Sequence, residues 1–157
     1  MKFLFSLCLI CLTHTILAQK ILTENTAREI IDVFFDGFHK GDTLIMNSVL
    51  SPNAILQSAS KNREGIDVLE NTHFGNFKKS IALRPSNQVW KEVLIDYTVS
   101  IDGNLAHVWT PYEFYFNGNF SHCGANAFTL AKLEDGWKIV HLIDSRRRDD
   151  CNAMKEE

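Results

Sequence analysis

Leu105–Phe116 reads LAHVWTPYEFYF, Phe120–Leu133 reads FSHCGANAFTLAKL, and Trp137–Arg148 reads WKIVHLIDSRRR. These three runs decide the fold. Each is rich in β-branched and aromatic residues, and two turn signals, Asn117-Gly118-Asn119 and Glu134-Asp135-Gly136, separate them. The pattern is an antiparallel meander from about Leu105 to Arg147. It carries most of the polar side chains that read as candidates for a site.

The turns imply registers. Glu134-Asp135-Gly136 reads as a three-residue hairpin loop with a left-handed glycine and a bulge. Leu133 then faces Trp137, Leu130 faces Val140, Phe128 faces Leu142, Asn126 faces Asp144, and Gly124 faces Arg146. Asn117-Gly118 reads as a two-residue turn. It sets Glu113 opposite His122 and, with no slip at Pro111, Trp109 opposite Asn126 and His107 opposite Phe128. Paired residues share a face. One face is therefore expected to collect His107, Trp109, Glu113, His122, Asn126, Phe128, Leu142, Asp144 and Arg146. The other collects Trp137, Ile139, His141 and Ile143, with Cys123 on the neighbouring strand. Both faces are partly apolar, which a one-sided sheet does not require. Helices on one face and a second subunit on the other would account for it.

Upstream of the meander, Val93, Ile95, Tyr97, Val99 and Ile101 alternate with Leu94, Asp96, Thr98 and Ser100, a strand by period two. Asp102-Gly103-Asn104 turns it into the meander. Earlier still, Thr23–Lys40 has Ala27, Ile30, Ile31, Phe34, Phe35 and Phe38 on one helical face, with Thr26 and Glu29 as a capping-box pair and Gly41 as a stop. Asp42 can cap a short helix whose apolar side is Leu44, Ile45, Val49 and Leu50, ended by Pro52. Ala54–Ala59 reads as a first strand, Lys61–Gly65 as a polar loop, and Ile66 to about Lys79 as a third helix; Pro85 marks a break. Helices first and a long antiparallel sheet afterwards mean an α+β fold.

The first 18 residues, MKFLFSLCLICLTHTILA, have the charged start, apolar run and small-residue end of a secretory signal peptide. The run is short of the ~20 apolar residues of a membrane span, and His14 interrupts it. Cleavage before Gln19 is expected, giving an exported protein, periplasmic or secreted, with a single domain over 19–157 and no membrane attachment. Cys8 and Cys11 would leave with the leader. Cys123 and Cys151 remain, and they either bridge or stay as two thiols. The formal charge is −3, and loss of Lys2 makes it more negative. That is no footprint for nucleic acid. Arg146–Arg148 is followed by Asp149-Asp150, so its local charge largely cancels.

In outline the whole chain after the leader resembles the nuclear transport factor 2-like superfamily. The residues that carry this are Gly41-Asp42, Pro52-Asn53-Ala54, a third helix led by Gly65, and Asp135-Gly136-Trp137-Lys138-Ile139-Val140-His141, a Gly-Trp-x-Ile-x-His type of final strand. Within the superfamily it looks most like the SnoaL-like and "putative lumazine-binding" proteins, through His107–Phe114, His122-Cys123-Gly124, Asn126 and Asp144–Arg147. The resemblance implies a cystatin-like cone: three N-terminal helices packed on a curved antiparallel sheet, with a pocket in the mouth and often a homodimer.

Enzymes on that fold commonly use a carboxylate or a His–Asp pair as base, which implies roles for Asp144, His122 and Glu113. Trp109, Asn126, Arg146, Phe128, His107 and Tyr112 are the ligand-binding candidates; Trp109, Tyr112 and Tyr115 offer rings for a planar ligand. No HxxxH or HxH pair, GxSxG or glycine-rich phosphate loop occurs, so neither a metal nor a cofactor is expected. Three functions remain: an exported, homodimeric binder of an unknown small molecule, a cofactor-free isomerase or dehydratase, and an accessory dimerisation or partner-binding domain.

Overall fold

The computed structural model describes residues 21–151. The expected leader and its cleavage site lie outside the described residues. The elements run α1 (Glu24–Lys40), α2 (Thr43–Val49), β1 (Leu50–Lys61), β2 (Asp67–His73), α3 (Phe74–Ala82), β3 (Trp90–Leu94), β4 (Thr98–Asp102), β5 (Leu105–Phe116), β6 (Asn119–Leu133) and β7 (Gly136–Arg147). This is an α+β fold with the helices on one face of a seven-stranded sheet. The strand order is β2-β1-β7-β6-β5-β3, with β4 also on β5, and β1 runs parallel to β7 while the other pairs are antiparallel.

α1 covers the expected span, but its cap is a different pair. Thr23 is the N-cap and accepts from Thr26 N–H at 3.2 Å, and the Thr26 hydroxyl accepts from Thr23 N–H at 2.8 Å. The box is therefore Thr23/Thr26, one turn before the Thr26/Glu29 pair. Gly41 ends the helix in the left-handed region at φ 74°. The face of Ala27, Ile31, Phe34, Phe35 and Phe38 is buried as the spacing requires. Phe34 and Phe35 meet Phe128 edge-on at 5.7 and 6.1 Å. Each such ring contributes about 2 kcal/mol of burial free energy before its ordering entropy. Asp42 caps α2 through Leu44 and Ile45 N–H, but the residue driven into the core is Met46, seated over Gly37, while Leu44 is exposed.

Two elements differ from expectation. Residues 66–79 are not one helix: 67–73 form β2, paired with β1 from Ile55↔His73 to Lys61↔Asp67, and α3 starts only at Phe74. The Asn62 side chain accepts from Glu64 and Ile66 N–H and closes the hairpin. β2 is an edge strand with only Val68 half-buried, so no apolar alternation announces it. The run Val93–Ile101 is also broken, into β3 and β4. Pro111 on β5 accepts from Ile95 N–H at 2.9 Å but has no N–H to return on that side, so the ladder lapses there. Parity changes across the gap: Leu94 packs inward before it, Tyr97 and Val99 after it.

The meander registers are partly corrected. The β6–β7 loop holds two residues, since Leu133 pairs with Gly136 rather than Trp137. A bulge at Val140 then restores the expected pairs Phe128↔Leu142, Asn126↔Asp144 and Gly124↔Arg146. Before the bulge everything is displaced by one: Leu130 faces Ile139, so Ile139 is fully buried and Trp137 packs against the core instead of the outer face. On β5–β6 the reverse happens. The Asn117-Gly118 turn starts the hairpin as expected, but Ser121 is bulged, giving Phe114↔His122, Glu113↔Cys123, Thr110↔Asn126 and Val108↔Phe128. Glu113, Trp109 and His107 consequently move to the outer face. Cys123, on that face, is disulfide-bonded to Cys151 across a separation of 28 residues.

Candidate functional site

The concave face of the sheet and the helices enclose a cavity of about 430 Å³. Its apolar wall is aromatic. Phe34, Phe35 and Phe38 come from α1, Phe77 from α3, Trp90 from β3 and Phe114 from β5. Phe38 and Phe77 stack at 6.1 Å with 12° between their planes. The polar wall comes from four strands that the registers align: Ser58 on β1, Glu92 on β3, His122 and Asn126 on β6, and Asp144 and Arg146 on β7.

Asp144 is the best-held group. Its Oδ2 accepts from the Tyr112 hydroxyl at 3.1 Å and lies 3.5 Å from Arg146 Nε, while Oδ1 accepts a short hydrogen bond from Ser58. These donors stabilise a carboxylate that is itself buried. Tyr112 reaches Asp144 across Gly124, where an added Cβ would sit 1.7 Å from Ser145 O and 2.8 Å from the Tyr112 ring. No other residue type fits under that ring. Burial, and after it the charges of Asp144 and Glu92, push the Tyr112 hydroxyl well above its ordinary range, so it remains a donor.

Glu92 accepts from Asn126 Nδ2 at 2.7 Å. Burial first, and the Asp144 charge in addition, push its carboxyl up to about 8, against the opposing effects of Asn126 and Arg146. His122 stacks on Phe114 at 4.8 Å and shares a 3.1 Å hydrogen bond with Ser121. Burial and the nearby Arg146 hold it down to about 4, so the ring is neutral at neutral pH. Arg146 is held above its usual range by Asp144 and Tyr112 despite burial.

Asp144, His122, Asn126 and Arg146 thus share one cavity wall. Tyr112 acts from within the sheet through its hydroxyl, and Phe128 lies in the core beneath, against Phe34 and Phe35. Glu113, Trp109 and His107 do not belong to this wall. Glu113 accepts from the Tyr115 hydroxyl at 2.6 Å on the outer face, and Trp109 is exposed there. Their displacement follows from the Ser121 bulge, since a one-residue slip exchanges the faces. Glu92 and Ser58 were not anticipated. Glu92 could have been found from the alternation Trp90, Glu92, Leu94, but Val93 and Ile95 offer an equally apolar opposite parity. Ser58 has no distinguishing signal in its strand. Among the described residues no group of three His, Cys, Asp or Glu side chains is arranged to hold a metal ion.

The family model described as "Putative lumazine-binding" matches residues 23–142. The chain belongs to this family. Its fold is that of solved nuclear transport factor 2-like proteins. No curated protein matches this lumazine-binding-family chain by sequence. Among solved structures it is similar to a nuclear transport factor 2-like protein of unknown function from Shewanella baltica, at 17% identity and TM-score 0.56, over 82% of this chain and 100% of that one. A protein from Streptomyces avermitilis described as a "putative dehydratase" of the same superfamily aligns at 17% identity and TM-score 0.60, over 79% and 95%. The CaMKII hub of S. rosetta aligns at 20% identity and TM-score 0.61, over 82% and 99%. At these identities the likeness is one of fold.

Proposed function

We propose that this chain is an exported small-molecule-binding protein whose ligand occupies the cavity between α1 and the concave sheet face. The observation that carries this is the convergence of Glu92, Asn126, His122 and Asp144 on one wall of an aromatic-lined space of about 430 Å³. That volume lies within the range of ordinary ligand sites, and a few placed polar groups among apolar walls are their usual composition. The description of the family agrees with it. Export rests on the leader-like start, and the Cys123–Cys151 bridge suits an oxidising compartment. A homodimer through the outer face is part of the proposal: Ile55, Trp109 and Leu105 are exposed there beside half-buried Ile143. The test is native mass spectrometry of protein purified from its host, with N-terminal sequencing. A retained small molecule on a dimer starting at Gln19 is expected. Monomeric protein carrying nothing and retaining Met1 would overturn all three parts.

A second reading, a cofactor-free isomerase or dehydratase, draws on one specific observation: two carboxyl groups, Glu92 and Asp144, flank Asn126 in the cavity. With its carboxyl at about 8, Glu92 can give a proton to a bound molecule, and Asp144, fixed by Tyr112, Ser58 and Arg146, faces the same space. Asp144→Asn keeps the shape; turnover lost with binding retained would favour this reading over the binder.

A further inference from the structure

The carboxyl groups that line the cavity outnumber its cations. Asp144 is answered by Tyr112, Ser58 and Arg146. Glu92 receives the amide of Asn126, and among the described residues no Lys, Arg or His forms an ion pair with it. A third carboxyl group, Glu70 on β2, also borders the cavity. Against these three stands one lining cation, Arg146, already engaged with Asp144. His122 is neutral. His39 of α1 accepts from Glu92 N–H at 3.0 Å, and burial lowers its pKa, so it brings no charge to answer the carboxylate.

The rings around Glu92 are placed by register. Phe114 is its cross-strand partner and Trp90 lies two residues along the same strand, so both occupy its face. The π faces of such rings attract cations, and a desolvated site strengthens the attraction.

We propose that the cavity takes a small organic cation, a ring-bearing apolar body with a protonated amine that pairs with Glu92 between Trp90 and Phe114. This rests on the small-molecule reading and narrows its ligand. A carboxylate ligand would have to displace Asp144 from Arg146. A neutral ligand would leave Glu92 in its protonated form. The ammonium supplies the missing counter-charge, so its entry drives the Glu92 proton into solvent. The groups facing that carboxyl are Asn126, Asp144, Arg146 and Tyr112, and of these Asp144 opposes and Arg146 favours its ionised form.

Three probes sharing one body test it by isothermal titration calorimetry at neutral pH: 2-(1-naphthyl)ethylamine, 2-(1-naphthyl)ethanol and 1-naphthylacetate. The amine is expected to bind about tenfold tighter than the alcohol, with the acetate weakest. Titration in two buffers of different ionisation heat should show proton release with the amine alone. Glu92→Gln, checked for folding by circular dichroism, should bring the amine-to-alcohol ratio to about one. An alcohol that matches the amine, or a preference that survives Glu92→Gln, overturns the cation proposal and leaves small-molecule binding standing. Failure of all three probes also overturns it. Binding itself is then judged separately, by the retained ligand in native mass spectrometry.

Discussion

Ile139 and Ile143 are the same residue type, four apart on one strand, and an unbroken strand would put them on one face. They lie on opposite faces. Ile139 is fully buried beneath the helices, whereas Ile143 is half-buried on the outer side. The bulge at Val140 makes the difference. The two sheet faces also differ as wholes: the inner lines the cavity with Asp144, Asn126 and Glu92, whereas the outer carries exposed Trp109, the disulfide and a buried Glu113 held by Tyr115. Parity along the strand, more than composition, assigns each residue to its surroundings.

The sharpest break in this comparison is one substitution made on each face. Ile139→Arg puts a charge in the core and should cost more than about 4 kcal/mol, leaving no folded protein by circular dichroism. Ile143→Arg should keep the fold and, with the outer face as the dimer interface, give a monomer by light scattering. Equal melting temperatures for the two variants would mean that the bulge is misplaced.

Removing the outer-face staple is next. Replacing both Cys123 and Cys151 by alanine frees a loop of 28 residues and should cost roughly 3–4 kcal/mol in a urea titration. On the inner face Gly124→Ala forces Tyr112 and Ser145 apart, for about 2–3 kcal/mol. An unchanged urea midpoint in the glycine variant would show that Tyr112 does not cross there.

The effects of pH separate two groups of the inner wall. Folded Glu92 keeps its proton up to about pH 8, whereas an unperturbed glutamate carboxyl loses it near 4.5. Its contribution to stability is therefore full below about 4.5 and declines as pH rises to 8. His122 works from the other end: held down to about 4 from 6.5, it contributes fully above 6.5 and loses that contribution as pH falls to 4. Melting temperatures of Glu92→Gln should lack the decline between about pH 4.5 and 8, and those of His122→Gln the decline between about 6.5 and 4. Parallel curves for variants and parent would remove both assignments.

Much of this was legible beforehand because it depends on local spacing. The apolar face of α1 is a 3.6-residue repeat, and Asp42 and Gly41 act through backbone groups within a few residues. Asn126 opposite Asp144 was legible for a less secure reason. The turn at Glu134-Asp135 is one residue shorter than its signal implies, and the Val140 bulge compensates. At Ser121 no second irregularity compensates, and Glu113, Trp109 and His107 went to the wrong face. β2 was read as helix because Ile66, Leu69, His73, Phe74 and Phe77 happen to recur at helical spacing, while an exposed edge strand has no periodic signal of its own.

By itself, then, the sequence determined the class of fold, the helix that fills the cone, the meander and the identity of Asp144, Asn126 and His122 as neighbours on one wall. All but the last follow from periodicity, caps and turn chemistry, which act over a few residues; Asn126 stays opposite Asp144 only because the Val140 bulge offsets the shorter turn. Only the tertiary structure decided that Glu92 joins them and that Glu113 does not, and that Tyr112 reaches Asp144 over a glycine. Those outcomes hang on single-residue bulges, and a bulge is set by how a curved sheet closes around α1, an energy shared among strands far apart in the chain.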